Sequence, residues 1–203
     1  MLPVPAFLAL GDSYTIGEGV DADARWPMQL AASLRDAGID TGEPEIHATT
    51  GWTTDELAAA IAAARPAAGR ALVSLMIGVN NQYRGRSLAD YRDGFTALLE
   101  QATGFADGRP GRVVVVSIPD WGVSAFAAAQ GVDVAQVAMQ IDAFNAAARG
   151  LVLARGAHWV DVTAISRGPG RDLLAADGLH PSAAQHALWT AEIAPVARRA
   201  WGC

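Results

Sequence analysis

The chain has 203 residues, 51% of them hydrophobic and 18% charged, a balance that supports a substantial core and excludes a largely disordered chain. Its formal net charge of −6 comes without any basic stripe, so no nucleic-acid partner is expected. All fifteen basic residues are arginine and the one cysteine is Cys203, which excludes a Schiff-base lysine, a P-loop lysine, a disulfide framework and a Cys-x-x-Cys metal site.

The run from Val4 to Leu10 is a short apolar stretch that reads as one buried strand. Met1 to Leu10 is too short for a signal peptide, and no apolar run reaches the roughly 18 residues of a membrane span. The expectation is a cytoplasmic protein with no membrane insertion, a secreted form trimmed of its leader remaining open. The strand stops at Gly11 and is followed at once by Asp12-Ser13. After a polar loop, Trp26-Pro27 opens a helix with proline in the first turn. Its stripe of Met28, Leu30, Ala31 and Leu34 ends at Gly38. Pro44 to Ala48 is a weak strand, and Thr49 to Thr54 a loop. Thr53 and Glu56 have the spacing of a capping box for a helix to about Ala64. Ala71 to Ile77 is a clear buried strand, ending at Gly78-Val79-Asn80-Asn81.

Ser87 and Asp90 can cap a helix running to about Thr103. Arg112 to Ile118, with four consecutive valines, is the strongest strand signal. Pro119-Asp120-Trp121-Gly122 starts a long loop. Asp133 begins a long helix with Val134, Val137, Ala138, Ile141, Phe144 and Ala148 on one face. Ala157 to Val162 is the fifth strand, Thr163 to Leu179 a loop, and Pro181 opens a last helix ending near Trp201. Five alternations of strand and helix without a linker predict one domain over residues 1–203. The fold class expected is α/β: a three-layer α/β/α, flavodoxin-like, five-stranded parallel sheet in the order 2-1-3-4-5.

In such a sheet the segments following each strand share one edge, where ligands bind. Ser13 follows the first strand, Gly51 the second and Asn80 the third; Asp177 and His180 follow the fifth. A serine hydroxyl needs a base to become a nucleophile, and histidine is the usual one. Asp177, three residues before His180, is spaced to orient that base. The Ser13 N–H, the Gly51 N–H and the Asn80 amide are candidate donors to an oxyanion.

Gly11-Asp12-Ser13, Gly51, Gly78-Val79-Asn80 and Asp177-x-x-His180 together resemble the four sequence blocks of the SGNH (GDSL) hydrolase family, in the family's order and across nearly the whole chain. The resemblance implies a serine ester hydrolase acting on a small-molecule ester without a cofactor or metal. Ser13 is then the nucleophile, His180 and Asp177 complete the triad, and Gly51 and Asn80 complete the oxyanion hole. Short acyl chains are the expected substrates, because the loops leave little chain for a lid. The alternatives are a carbohydrate O-deacetylase, a thioesterase, a lysophospholipase, or a catalytically silent binding domain of the same fold. Two positions depart from the family pattern. Tyr14 stands where leucine is usual, and Asn81 where aspartate commonly follows the asparagine.

Trp52, Tyr83, Trp121 and Phe126 lie near the same edge and are candidates for lining a substrate pocket. Arg84, Arg86 and Asp120 read first as solvated loop residues, contact of the arginines with an anionic substrate being the alternative. His47 and His158 read as satisfied sheet residues, and His186 as structural.

Overall fold

The computed structural model describes residues 6–170 and 172–202; the expectations that fall on residues 1–5 and on Cys203 lie outside them. The sheet runs in the order β2-β1-β3-β4-β5, all pairs parallel. Its strands are β1 (Phe7–Gly11), β2 (Glu45–Ala48), β3 (Leu72–Met76), β4 (Val113–Val116) and β5 (His158–Val160). Every residue of β1, β3 and β4 is buried, as continuous apolar runs require when helices cover both faces. Gly11 pairs with Ala48 of β2 and Met76 of β3. The carboxyl ends of these three strands therefore lie level with one another.

The helices are α1 (Ser13–Ile16), α2 (Trp26–Asp36), α3 (Thr54–Ala64), α4 (Val79–Tyr83), α5 (Leu88–Phe105), α6 (Ala125–Gln130), α7 (Val134–Ala154), α8 (Thr163–Arg167) and α9 (Ala183–Trp201). α9 packs on β3, β4 and β5 with α2 beside it, while α3, α5 and α7 form the other layer. The sheet order and the three layers are those the strand–helix alternation predicts.

Local chemistry explains the helix starts. The capping box of α3 forms, with the Thr53 N–H donating to Glu56 Oε2 at 2.9 Å. Ser87 Oγ accepts the Asp90 N–H at 3.1 Å. α2 begins at Trp26, whose N–H donates to His186 Nδ1 of α9 at 3.0 Å, so a distant helix supplies the cap. Three segments read as loop contain helix. α4 follows Gly78, α6 lies beyond Trp121, and α8 occupies the start of the Thr163–Leu179 stretch. Each is five or six residues long, too short to show a helical period. Val134, placed on the buried face of α7, is instead 45% exposed; Val137, Ile141, Phe144 and Ala148 are buried there.

Candidate active site

β1 ends at Gly11 and the chain turns directly into α1. Asp12 caps α1 by accepting the Tyr14 N–H at 3.1 Å. Ser13 is therefore the first helical residue, and its N–H is one of the first-turn amides that have no partner within a helix. Burial pushes the Asp12 carboxyl up to about 7, against the pull of the N–H groups of Tyr14, Asp12 itself and Gly78. Because Gly78 immediately precedes α4, this carboxyl ties the Ser13 turn to the Asn80 turn.

α4 grips the loop after β2 with three side chains. Asn80 Nδ2 donates to the Trp52 carbonyl at 2.9 Å. A primary amide carries two N–H bonds, which leaves the second for the cavity that Asn80 lines. Asn81 Oδ1 accepts the Thr54 N–H at 3.0 Å, and its Nδ2 donates to Thr54 Oγ1 at 2.8 Å. Arg84 Nη2 donates to the Gly51 carbonyl at 2.6 Å while its Nη1 reaches Glu56 at 3.2 Å. Gly51 itself sits at φ +89°, a left-handed conformation that glycine adopts at no steric cost.

His180 stands on the opposite side, in the turn before α9. Asp177 Oδ1 accepts the N–H groups of Leu179 and His180 at 2.9 and 3.0 Å. Its Oδ2 lies 2.6 Å from His180 Nδ1. A carboxylate there only accepts, so the ring proton sits on Nδ1 and Nε2 keeps its lone pair. Partial burial works to raise the Asp177 pKa, but the bonds from the His180 ring and the two backbone N–H groups outweigh it and hold the carboxyl below its usual range. The imidazole lies edge-on to Tyr14, the residue after Ser13, with ring centroids 6.0 Å apart.

Ser13, Gly51, Asn80 and His180 line one cavity of about 170 Å³, whose other walls include Tyr14, Val79, Tyr83, Trp121, Phe126 and Leu179. Asp177 stands behind His180. Of the four aromatic candidates, Tyr83, Trp121 and Phe126 reach the cavity. Trp52 does not: it packs, partly buried, against the core, and its carbonyl anchors Asn80.

The readings of Arg84, Arg86 and Asp120 change, and those of the other three histidines do not. Arg84 and Arg86 are not simply solvated, since Arg86 pairs with Asp55 at 2.7 Å and Arg84 holds the Gly51 loop. Asp120 is 2% exposed and paired with Arg167 at 2.8 Å. His47 meets Glu45, and His158 the Gly111 carbonyl. His186 is fully buried; burial, and then the nearness of His180, push its pKa down to about 4. The sequence reading overlooks Gln82, which is 6% exposed and holds the Trp121 indole. No local signal marks it, because its partners lie 39 and 58 residues away. Among the described residues no group of three or more His, Cys, Asp or Glu side chains could hold a metal ion, and no helix is long and apolar enough to cross a membrane.

A parallel sheet in this order between two helical layers defines the three-layer α/β/α class. Solved structures share the whole fold. TesA superposes with a TM-score of 0.75 at 21% identity, over 96% of this chain and 98% of that one. The lipase/acylhydrolase from Enterococcus faecalis superposes at 0.72 and 19% identity, over 97% and 95%. AlinE4, an SGNH-hydrolase family esterase, superposes at 0.68 and 22% identity, over 98% and 97%. No curated protein matches the chain in sequence. The model of the GDSL-like lipase/acylhydrolase family matches residues 9–188, and the chain belongs to that family of ester hydrolases.

Proposed function

We propose that the protein is a serine esterase that cleaves short-chain carboxylic esters through an acyl-enzyme on Ser13. The observation that carries this reading is the 2.6 Å Asp177–His180 contact at one side of the cavity that Ser13, Gly51 and Asn80 also line. His180 Nε2 takes the proton from Ser13 Oγ as that oxygen attacks the ester carbonyl carbon. Asp177 holds the ring and stabilises the imidazolium. The negative oxygen of the tetrahedral intermediate accepts from the Ser13 N–H, the Gly51 N–H and the unused N–H of Asn80. The bond to the alcohol oxygen breaks, and His180 returns the proton to the departing alcohol. Water then repeats the sequence on the acyl-serine and releases the acid.

The size and lining of the cavity support the substrate class. An apolar cavity of roughly 150 Å³ holds benzene, so about 170 Å³ suits a group of around six carbons. A lysophospholipid chain would extend beyond it, and no Asp, Glu, Lys or Arg side chain lines it. A fluorophosphonate probe should label the wild type at Ser13 and leave Ser13→Ala unlabelled. p-Nitrophenyl butyrate should be hydrolysed faster than the palmitate. Equal labelling of a folded Ser13→Ala overturns the nucleophile, and a preference for palmitate overturns the substrate class.

A further inference from the structure

One wall of the cavity, formed by Trp121, is held by polar contacts that take no part in ester cleavage. The Trp121 indole N–H donates to Gln82 Oε1 at 2.7 Å, and Gln82 Nε2 donates to Gln140 Oε1 of α7 at 2.7 Å. Burying a primary amide is unfavourable unless both of its ends are paired, and here both ends link α4, the indole and α7 into one unit.

The backbone beneath the indole is equally constrained. The Asp120 N–H donates to Ser166 Oγ at 2.9 Å, and Asp120 Oδ1 accepts the Gly122 N–H at 2.9 Å. Arg167 joins Asp120 at 2.8 Å to Asp142 of α7 at 2.9 Å. A Cβ at Gly122 would stand 2.9 Å from Val137 Cγ1, so only glycine lets this turn pack so closely on α7. Tyr83 covers one edge of the indole, with ring centroids 5.2 Å apart and planes at 74°. The wall is thus fixed at its base, tethered at its N–H and flanked at its edge.

The geometry points to Gln82 as a positioning residue that sets substrate length: by tethering Trp121 it closes the apolar end of the cavity and fixes the longest acyl chain accepted. This rests on the reading of Ser13 as the acylated residue. The acyl group stays attached through the second half-reaction while the alcohol must leave, so an apolar wall held in place suits the acyl side. Each methylene that finds apolar burial is worth about fourfold in kcat/KM. Each one that meets the wall forfeits that gain.

The test is kcat/KM for p-nitrophenyl acetate, butyrate, hexanoate, octanoate and decanoate. The enzymes are the wild type, Gln82→Met, Trp121→Phe and Trp121→Ala, each checked for folding by circular dichroism. Met conserves the bulk of Gln82 and removes the tether; Phe keeps a ring and removes the N–H. The wild type should fall steeply beyond hexanoate. The octanoate-to-butyrate ratio should rise about tenfold or more in Trp121→Ala, where about two further methylenes gain burial. It should rise roughly threefold or more in Gln82→Met or Trp121→Phe, since the loosened indole frees space for about one methylene. If either tether variant fails to fold, the other reads the same bond. Variants that hydrolyse butyrate with ratios within twofold of the wild type overturn the inference, because a merely structural residue lowers all esters alike. A wild type that neither cleaves butyrate nor reacts with the fluorophosphonate overturns the serine reading, and this inference with it.

Discussion

Asn81 is one of the two departures from the family pattern that the sequence resembles, and its contacts allow the substitution to be worked through. The side chain is 1% exposed and makes two hydrogen bonds to Thr54, the first residue of α3. Asn81→Ala removes both bonds, each worth about 0.5–1.5 kcal/mol net, and leaves the buried Thr54 N–H unpaired at a cost of about 1–3 kcal/mol. The terms overlap, so a total of about 2–4 kcal/mol is expected. In a domain of this size each kcal/mol moves the melting temperature by about 2–4 °C, giving a drop of about 5–15 °C. Asn81→Asp behaves differently. A carboxylate accepts from both the Thr54 N–H and the Thr54 hydroxyl, and its charge faces the favourable end of α3. Its melting temperature should stay within about 4 °C of wild type, roughly 1 kcal/mol. Thermal melts of the three proteins by circular dichroism decide. An Asn81→Ala protein melting within a degree of wild type refutes the reasoning, and so does an Asn81→Asp protein as unstable as the alanine variant.

Asn80→Ala should lower kcat by about 10²–10³, the usual loss for one oxyanion donor, with little change in KM; undiminished turnover of butyrate removes Asn80 from the reaction. Gly51→Ala meets no clash, since the nearest atom to its Cβ would be Arg84 Nη2 at 3.5 Å, yet the left-handed backbone should cost about 1–2 kcal/mol. A lowered melting temperature together with a lowered kcat is the expected readout, and an unchanged protein contradicts it. The pH dependence of stability should show two opposing contributions. Asp12 is raised from 3.8 to about 7 on folding, so the native state holds a proton that the unfolded chain loses, and stability falls as pH rises through that window. His186 is lowered from 6.5 to about 4, so the unfolded chain binds its proton first, and stability falls as pH drops through that window. Asp12→Asn should therefore make the protein lose stability on acidification from about pH 6.5 to about 4.5 more steeply than wild type, by urea denaturation. Identical slopes count against the Asp12 assignment.

The frame of this fold was readable because each strand is a continuous buried run and each long helix carries its own start signal. Ser13, Gly51 and Asn80 could be assigned to one rim from strand order alone, and the Asp177–His180 pair from its spacing. What escaped the sequence depends on distant neighbours. α4 has too few residues for a period, so nothing foretold that Asn80, Asn81 and Arg84 would face one loop. Trp52 looked like a pocket aromatic, but its useful group is a carbonyl, which carries no residue-specific signal. Asp120 read as a loop polar residue and Gln82 carried no signal, because their burial comes from α7 and α8 folding over them.

Ser13, Asn80 and His180 hang from β1, α4 and the turn before α9, whereas most of the Trp121 turn hangs from α7 and α8. Drift in residues 119–132 would therefore reshape that wall while leaving the Asp177–His180 pair in place, except at Phe126, whose N–H donates to the Gly178 carbonyl. The Gln82 amide and the Tyr83–Trp121 ring contact are further links between the two frameworks, so a change in α4 reaches both that wall and the reaction.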